Sequence, residues 1–286
     1  MTLRTDLARL IDGSHESTWA TFDWVRSNAR IYGLSAVRTA RWKTPGEPAF
    51  VSNLLEHPWS LGRLGGLIEK HLQPVGLSSG TPIVSGVFIH QKPKVQFQGY
   101  RGHVELGDLL VVRQHFRSKV AAPEGRAVLI QAKSTGKPGT GNLSGKEAQQ
   151  FALYADWTKP FTFPHKEIGN PPDGTTRWNF KRGPAPYANS GVYGLVANTR
   201  GAPASFPDRC TWAVGYATPP GPGGSAGKPP AVNAAVSLAE ALEGMLLGRW
   251  GRSWDAFPAT TDHWSSFIVE CLRAASTWSP YPIQRI

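Results

Sequence analysis

Residues 107–135 read GDLLVVRQHFRSKVAAPEGRAVLIQAKST and contain two continuous apolar runs, LLVV at 109–112 and AVLI at 127–130. Runs of this kind, bounded by Gly, Pro and charged residues, are typical of central strands that are covered on both faces. The segment between them is long enough for a hairpin. Pairing of the two strands would bring Asp108, at the start of the first, close to Lys133, at the end of the second.

The rest of the chain supplies further strands and helices around this pair. Short runs rich in Val, Ile, Leu and Phe predict strands at 81–90, 94–98, 191–199 and 210–218. Apolar periodicity and capping signals predict helices at 3–12, 17–31, 60–73, 144–157, near 231–249 and at 262–276. This order predicts an α/β fold with a central mixed sheet flanked by helices, with helical additions at both ends. We divide the chain into an N-terminal helical part (1–75), a core (76–217), a Pro/Gly-rich linker or loop (218–230) and C-terminal helices packed on the core (231–286).

Charge and composition restrict the classes of partner. The net charge is +11, which attracts polyanions at long range. Nucleic acid is the partner that this charge most favours, ahead of an anionic membrane surface, and simple solubility is the remaining interpretation. Two cysteines without a Cys-x-x-Cys pair exclude a disulfide framework and a cysteine-rich zinc site. The sequence has no signal pattern and no apolar run of the ~18 residues that span a bilayer, so we expect a cytoplasmic protein without a membrane partner.

The polar residues at the ends of the two central strands form a possible hydrolytic centre. Gln131 and Lys133 are two residues apart on a strand, so both point to the same face, and Ala132 would offer its carbonyl. Hydrolysis of a phosphodiester needs a hard cation with oxygen ligands, an activated water and a positive charge near the phosphate. Asp108, Gln131 and Lys133 could supply these functions.

These segments resemble the metal-binding strands of PD-(D/E)XK nucleases, the restriction-endonuclease-like superfamily. The resemblance implies a nuclease core over 76–217, with Asp108 as a metal ligand, Gln131 at the position of the central acid, Lys133 as the lysine and Mg²⁺ or Mn²⁺ as the cofactor. The predicted helix that follows contains QFALY at 150–154, similar to the Q-x-x-x-Y motif of the RecB-type branch. In that branch the glutamine and tyrosine lie beside the active site, and an i, i+4 pair shares one helical face.

Gln131 departs from the usual pattern, because most members of the superfamily carry Asp or Glu there. A glutamine resembles the Mrr-like restriction enzymes instead. An amide oxygen binds Mg²⁺ more weakly than a carboxylate, so Glu69 or Glu105 could assist as a further ligand. Lys146, at the start of the predicted helix 144–157 and next to the Gly-rich loop, is a candidate contact to nucleic acid.

Three functions follow as expectations from these residues. The first is a metal-dependent nuclease acting on DNA, in phage defence, restriction or DNA repair. The second is a nucleic-acid-binding protein that kept the nuclease-like fold but lost hydrolysis, as Gln131 allows. The third is a structural or interaction protein whose basic charge is incidental. Aromatic residues interleaved with basic ones in 158–190 could stack on bases, but we favour a role in fixing a long loop to the core.

Overall fold

The fold is built around the two strands that the apolar runs predict. The computed structural model describes residues 2–31, 44–56, 58–76, 87–89, 93–97, 100, 102–115, 124–136, 141–142, 147–155, 157, 159–164, 168–182, 187–218 and 231–278. The helices are α1 (Leu3–Ile31), α2 (Glu47–Glu56), α3 (Pro58–Leu72), α4 (Glu147–Ala155), α5 (Leu238–Leu246) and α6 (His263–Trp278). The strands are β1 (Val87–Phe88), β2 (Lys94–Phe97), β3 (Val104–Glu105), β4 (Leu109–His115), β5 (Glu124–Thr135), β6 (Gly141–Asn142), β7 (Phe161–Thr162), β8 (Gly191–Ala197), β9 (Trp212–Thr218), β10 (Ala231–Ser237) and β11 (Arg252–Trp254).

Eight of the strands form one mixed sheet. Seven follow the order β1-β4-β5-β8-β9-β10-β6, and β11 pairs with β5. β5 and β8 are parallel, and the other described pairs of this sheet are antiparallel. β11 pairs with Gly125–Ala127, the part of β5 that precedes its pairing with β8. A second, small sheet has the order β3-β2-β7. The expected α/β class, with a mixed sheet flanked by helices, is confirmed.

Alternate residues of the central strands face two hydrophobic cores. One core contains α4 and α6, and its buried side chains include Leu129, Leu195, Tyr154, Trp157 and Phe267. The opposite core contains α1, α2 and α5, and its buried side chains include Ile130, Val192, Leu7, Phe50 and Met245. This alternation explains why LLVV and AVLI are apolar without interruption, since both faces of β4 and β5 are covered.

The prediction of two helices at 3–12 and 17–31 is wrong, because α1 is continuous from Leu3 to Ile31. Gly13 disfavours a helix interior by about 1 kcal/mol relative to alanine. Burial of Leu7, Ile11 and Trp19 along one face outweighs that cost. A helix was not predicted at Glu47–Glu56, where α2 lies. Pro48 is compatible with the first turn of α2. Proline lacks a backbone N–H, and the N–H groups of a helix's first turn have no partner within the helix.

The prediction of a helix near 231–249 is wrong over its first seven residues. Ala231–Ser237 form β10, which pairs with β9 and β6 within the main sheet. The helix begins only at Leu238, because the Ser237 hydroxyl accepts a hydrogen bond from the Glu240 N–H at 3.0 Å and caps it. The C-terminal part, 231–286, therefore contributes two strands, β10 and β11, as well as helices.

The aromatic side chains after α4 anchor their loop to the core, as expected. Phe161, Trp178 and Phe180 are buried and pack among one another and against α6. Among the residues described, no helix combines the length and the apolarity that a membrane crossing requires.

Candidate active site

Asp108 lies where β4 begins, against the open edge of β5. Its backbone N–H donates to the Ile130 carbonyl at 2.9 Å, and its carboxylate oxygen Oδ2 accepts from the Ala132 N–H at 2.8 Å. Beyond this point β4 no longer covers β5, so the side chain of Asp108 takes the place of a strand partner. Asp108 is only 1 % exposed. Asp108 is therefore part of the packed interior.

A second carboxylate, Glu47, occupies the same edge one step further along β5. Glu47 is the first residue of α2, and its Oε1 accepts from the Ser134 N–H at 2.9 Å. The N–H groups of Ala132 and Ser134 are two residues apart on a strand, or about 6.7 Å. The two acids therefore line one short stretch of backbone. The N-terminus of α2 also favours a negative charge at Glu47.

Lys133 supplies a positive charge at this edge. Its Nζ lies 4.0 Å from Glu47 Oε2, and its side chain is 16 % exposed. Solvent therefore reaches Lys133 to a greater extent than it reaches Asp108. With both acids ionised, Asp108, Glu47 and Lys133 together carry one net negative charge.

Helix α4 holds the chain that leads into Asp108. Gln150 Nε2 donates to the Glu105 carbonyl at 3.1 Å, and the Tyr154 hydroxyl donates to the Leu106 carbonyl at 2.8 Å. The i, i+4 pair thus clamps two consecutive carbonyls just before Asp108. Burial raises the pKa of the Tyr154 hydroxyl well above its usual range, and the neighbouring Tyr193 and Asp108 raise it further. The hydroxyl is therefore a permanent donor.

Tyr154 can approach Leu106 because residue 107 has no side chain. A Cβ at Gly107 would lie 3.2 Å from the Tyr154 hydroxyl oxygen and 3.3 Å from Ile89 Cδ1. Both contacts are tighter than ordinary van der Waals contacts. A side chain at position 107 would therefore push the Tyr154 hydroxyl and Ile89 back by a few tenths of an ångström.

Gln131 joins the α4 clamp to Asp108. Its Nε2 donates to Asp108 Oδ2, and its Oε1 accepts from Gln150 Nε2. Gln131 and Gln150 are 2 % and 5 % exposed, so these amides are linked away from solvent. The chain of hydrogen bonds runs from the Glu105 carbonyl through Gln150 and Gln131 to the Asp108 carboxylate.

The structure thus brings together Asp108, Gln131, Gln150 and Tyr154, and it places Lys133 beside Glu47 at the same edge of β5. Glu105 reaches Gln150 through its main-chain carbonyl. Glu69 lies on α3, which packs against α1 and α2, and the helix carboxylate beside Lys133 is that of Glu47. The predicted contact Lys146 lies outside the described residues.

Two carboxylates and neutral oxygens are the candidate ligands for a cation. Within the part of the chain that is described, no three His, Cys, Asp or Glu side chains are grouped closely enough to hold a metal ion. Asp108 and Glu47 nevertheless fit Mg²⁺ or Mn²⁺ chemically, because both are hard oxygen donors on one edge and such ions keep several waters. The Gln131 oxygen is also a possible donor, but it is hydrogen-bonded to Gln150 and turned away from Asp108.

Comparisons of this chain with models of protein families, with curated proteins and with solved structures find no match. The interpretation of the site therefore depends on its residues and geometry.

Glu47 is the residue at this site that the sequence analysis missed. The signal that could have found it is GEP at 46–48, an acid followed by proline, which is typical of the first turn of a helix. That signal predicts a helix start, but it does not indicate which strand the acid meets.

Proposed function

We propose that this chain is a metal-dependent nuclease with a restriction-endonuclease-like core that hydrolyses phosphodiester bonds of DNA. The observation that carries the proposal is the grouping of two carboxylates, Asp108 and Glu47, with Lys133 along one edge of β5. The net charge of +11 supports a polyanionic substrate. The fold supports it as well, since the acid and the lysine lie at adjacent strand ends of a mixed sheet.

Each residue has a role that follows from its position. Asp108 and Glu47 would hold Mg²⁺ or Mn²⁺, and the backbone N–H groups of Ala132 and Ser134 fix the orientation of their carboxylates. A bound divalent cation supplies a lowered pKa for a water ligand and offsets charge on the phosphate. Lys133, the more exposed member, would orient that water or a phosphate oxygen. Tyr154 would position Asp108 by holding the Leu106 carbonyl before it, and Gln150 would set the orientation of the Gln131 amide.

One observation favours a second candidate, a nucleic-acid-binding protein without hydrolytic activity. Asp108 is almost fully buried, and its Oδ2 already accepts from Gln131 and from Ala132. A cation at Oδ2 would therefore compete with these two hydrogen bonds. The basic charge and the fold would serve binding equally well in such a protein.

The test is a cleavage assay on linear duplex, circular and single-stranded DNA, with Mg²⁺, with Mn²⁺ or with a chelator. We expect cleavage that requires the cation and falls at least about 100-fold in Lys133→Ala, the scale for loss of one electrostatic stabiliser in an active site. Lys181→Ala is the matched control, because Lys181 is an exposed lysine; it should cleave as the wild type does.

The second candidate predicts a different pattern. The protein would bind DNA with an affinity that falls steeply with salt, yet leave every substrate intact at all metal concentrations. Cleavage that persists in chelator, or that is unchanged in folded Lys133→Ala, would contradict the proposed mechanism.

A further inference from the structure

The two buried amides of Gln150 and Gln131 can adopt only one orientation in this site. The hydrogen bonds run between two acceptors, the Glu105 carbonyl and Asp108 Oδ2, which also accepts from the Ala132 N–H. Gln150 must therefore turn its NH₂ group toward Glu105, and the same nitrogen donates to Gln131 Oε1. Gln131 in turn presents its NH₂ group, not its oxygen, to Asp108.

This orientation opposes a cation beside Asp108. A cation between Asp108 and Gln131 would meet the partly positive NH₂ group of the amide. Rotation of the Gln131 amide by half a turn would offer its oxygen, but its NH₂ would then face the NH₂ of Gln150. Gln150 cannot rotate to relieve this contact, because its oxygen would then face the Glu105 carbonyl.

The helix that carries Gln150 is held independently of that amide. Tyr154, one turn later on α4, donates to Leu106 and packs among buried aromatic rings. Changes at Gln150 can thus alter the orientation of Gln131 while α4 stays in place.

We propose that Gln150 is a positioning residue that, through Gln131, keeps Asp108 closed to divalent cations in the resting protein. The contact is autoinhibitory: the site gains affinity for the cation when the hydrogen bond between the two amides is broken. This inference rests on the metal-dependent function proposed above. It differs from a supporting role for Gln150, because it predicts that removing the glutamine strengthens cation binding.

The experiment is a calorimetric titration of the full chain with Mn²⁺ in the absence of nucleic acid. Gln150→Met removes the amide at nearly constant volume, and we expect it to tighten Mn²⁺ binding about three- to tenfold, the effect of one buried hydrogen bond. Gln149→Met, the same change at the preceding residue of α4, should bind Mn²⁺ as the wild type does. Thermal melts check that each variant is folded, and Gln150→Ala replaces Gln150→Met if the latter does not fold.

A double-mutant cycle tests whether the effect passes through Gln131. In a Gln131→Met background there is no amide to reorient, so Gln150→Met should leave Mn²⁺ affinity unchanged. Equal tightening in both backgrounds, unchanged or weaker binding by Gln150→Met, or no Mn²⁺ binding by any variant would overturn the proposal. DNA cleavage is measured separately. If Gln150→Met binds Mn²⁺ more tightly but no protein cleaves DNA, the nuclease proposal is refuted and the closed site stands. If DNA is cleaved but the wild type and Gln150→Met bind Mn²⁺ equally, the closed site is refuted and the nuclease proposal stands.

Discussion

Two substitutions of Asp108 separate its structural role from its chemical role. In Asp108→Ala the buried donors Gln131 Nε2 and the Ala132 N–H both lose their acceptor. A buried donor left without a partner costs about 1–3 kcal/mol, so the two together cost about 2–6 kcal/mol. That is a large part of the 5–15 kcal/mol that typically stabilises a domain. Asp108→Ala should therefore be severely destabilised and is a poor test of catalysis.

Asp108→Asn keeps an oxygen at the position of Oδ2, so both hydrogen bonds can persist without the charge. Bonds to a charged group contribute about 1.5–3 kcal/mol and neutral ones about 1 kcal/mol. The expected destabilisation is thus about 1–4 kcal/mol, and the variant should fold. Its cleavage should nevertheless fall at least about 100-fold, because the amide is a poor ligand for a hard cation.

The measurements are urea unfolding, followed by the fluorescence of the 11 tryptophans, and cleavage of DNA with Mg²⁺. Asp23→Asn, which removes an exposed partner of Arg200, is the control and should cost at most about 1 kcal/mol. Wild-type stability of Asp108→Ala would refute the buried hydrogen-bonding role of this carboxylate. Wild-type cleavage by folded Asp108→Asn would remove Asp108 from the mechanism.

Three further predictions test other parts of the structure. Gln131→Glu places a second acid against Asp108, so the melting temperature without metal should fall. The increase in melting temperature on adding Mg²⁺ should be larger than in the wild type. Equal increases in the two proteins would argue against a ligand role for position 131. Tyr154→Phe removes the donor to the Leu106 carbonyl and should lower the free energy of unfolding, measured in urea, by about 1 kcal/mol. An unchanged free energy of unfolding would show that the hydroxyl does not make this hydrogen bond. Hydrogen bonds from Lys70 and His71 lower the pKa of Asp6 from 3.8 to about 2, so its contribution to stability is complete above pH 4 and is lost as pH falls toward 2. Asp6→Asn should therefore be less stable than the wild type at neutral pH and equal to it near pH 2, as melts across this range would show.

The central strands could be predicted because their information is local. The apolar runs and the twofold period of a strand are properties of a few neighbouring residues, and they predicted β4, β5 and the common face of Gln131 and Lys133. The Q-x-x-x-Y spacing was equally local. Because of this i, i+4 spacing, Gln150 and Tyr154 donate hydrogen bonds to two adjacent carbonyls, those of Glu105 and Leu106.

The partner of the open edge of β5 could not be predicted in the same way. Glu47 meets Ser134 across 87 residues of sequence, and no periodicity relates two such distant positions. Glu69 was the predicted helix carboxylate because it lies on the predicted helix that precedes the first predicted strand. The short α2 was less visible, yet its first residue is the one that lies beside Lys133.

The error at β10 has a different cause. Val232 and Val236 are four residues apart, a spacing that places them on one face of a helix and also on one face of a strand, so the apolar pattern alone is ambiguous. The cap at Ser237 and the pairing with β9 decide between them. The pairing of β10 with β9 depends on the position of β9 in the sheet, and the sequence pattern of residues 231–237 carries no information about that position.

A glutamine at position 131 solves an electrostatic problem that a carboxylate would create. The side chains of Asp108 and Gln131 touch, and both are almost fully buried. Two ionised acids in that place would repel each other, and one would take up a proton unless a cation lay between them. The Gln131 amide instead donates a hydrogen bond to Asp108. Gln150 fixes the orientation of that amide, because it donates to the Gln131 oxygen. If Asp108 holds a cation as proposed, the glutamine at position 131 would let the site fold without it, and cation affinity would depend on Gln150 of α4.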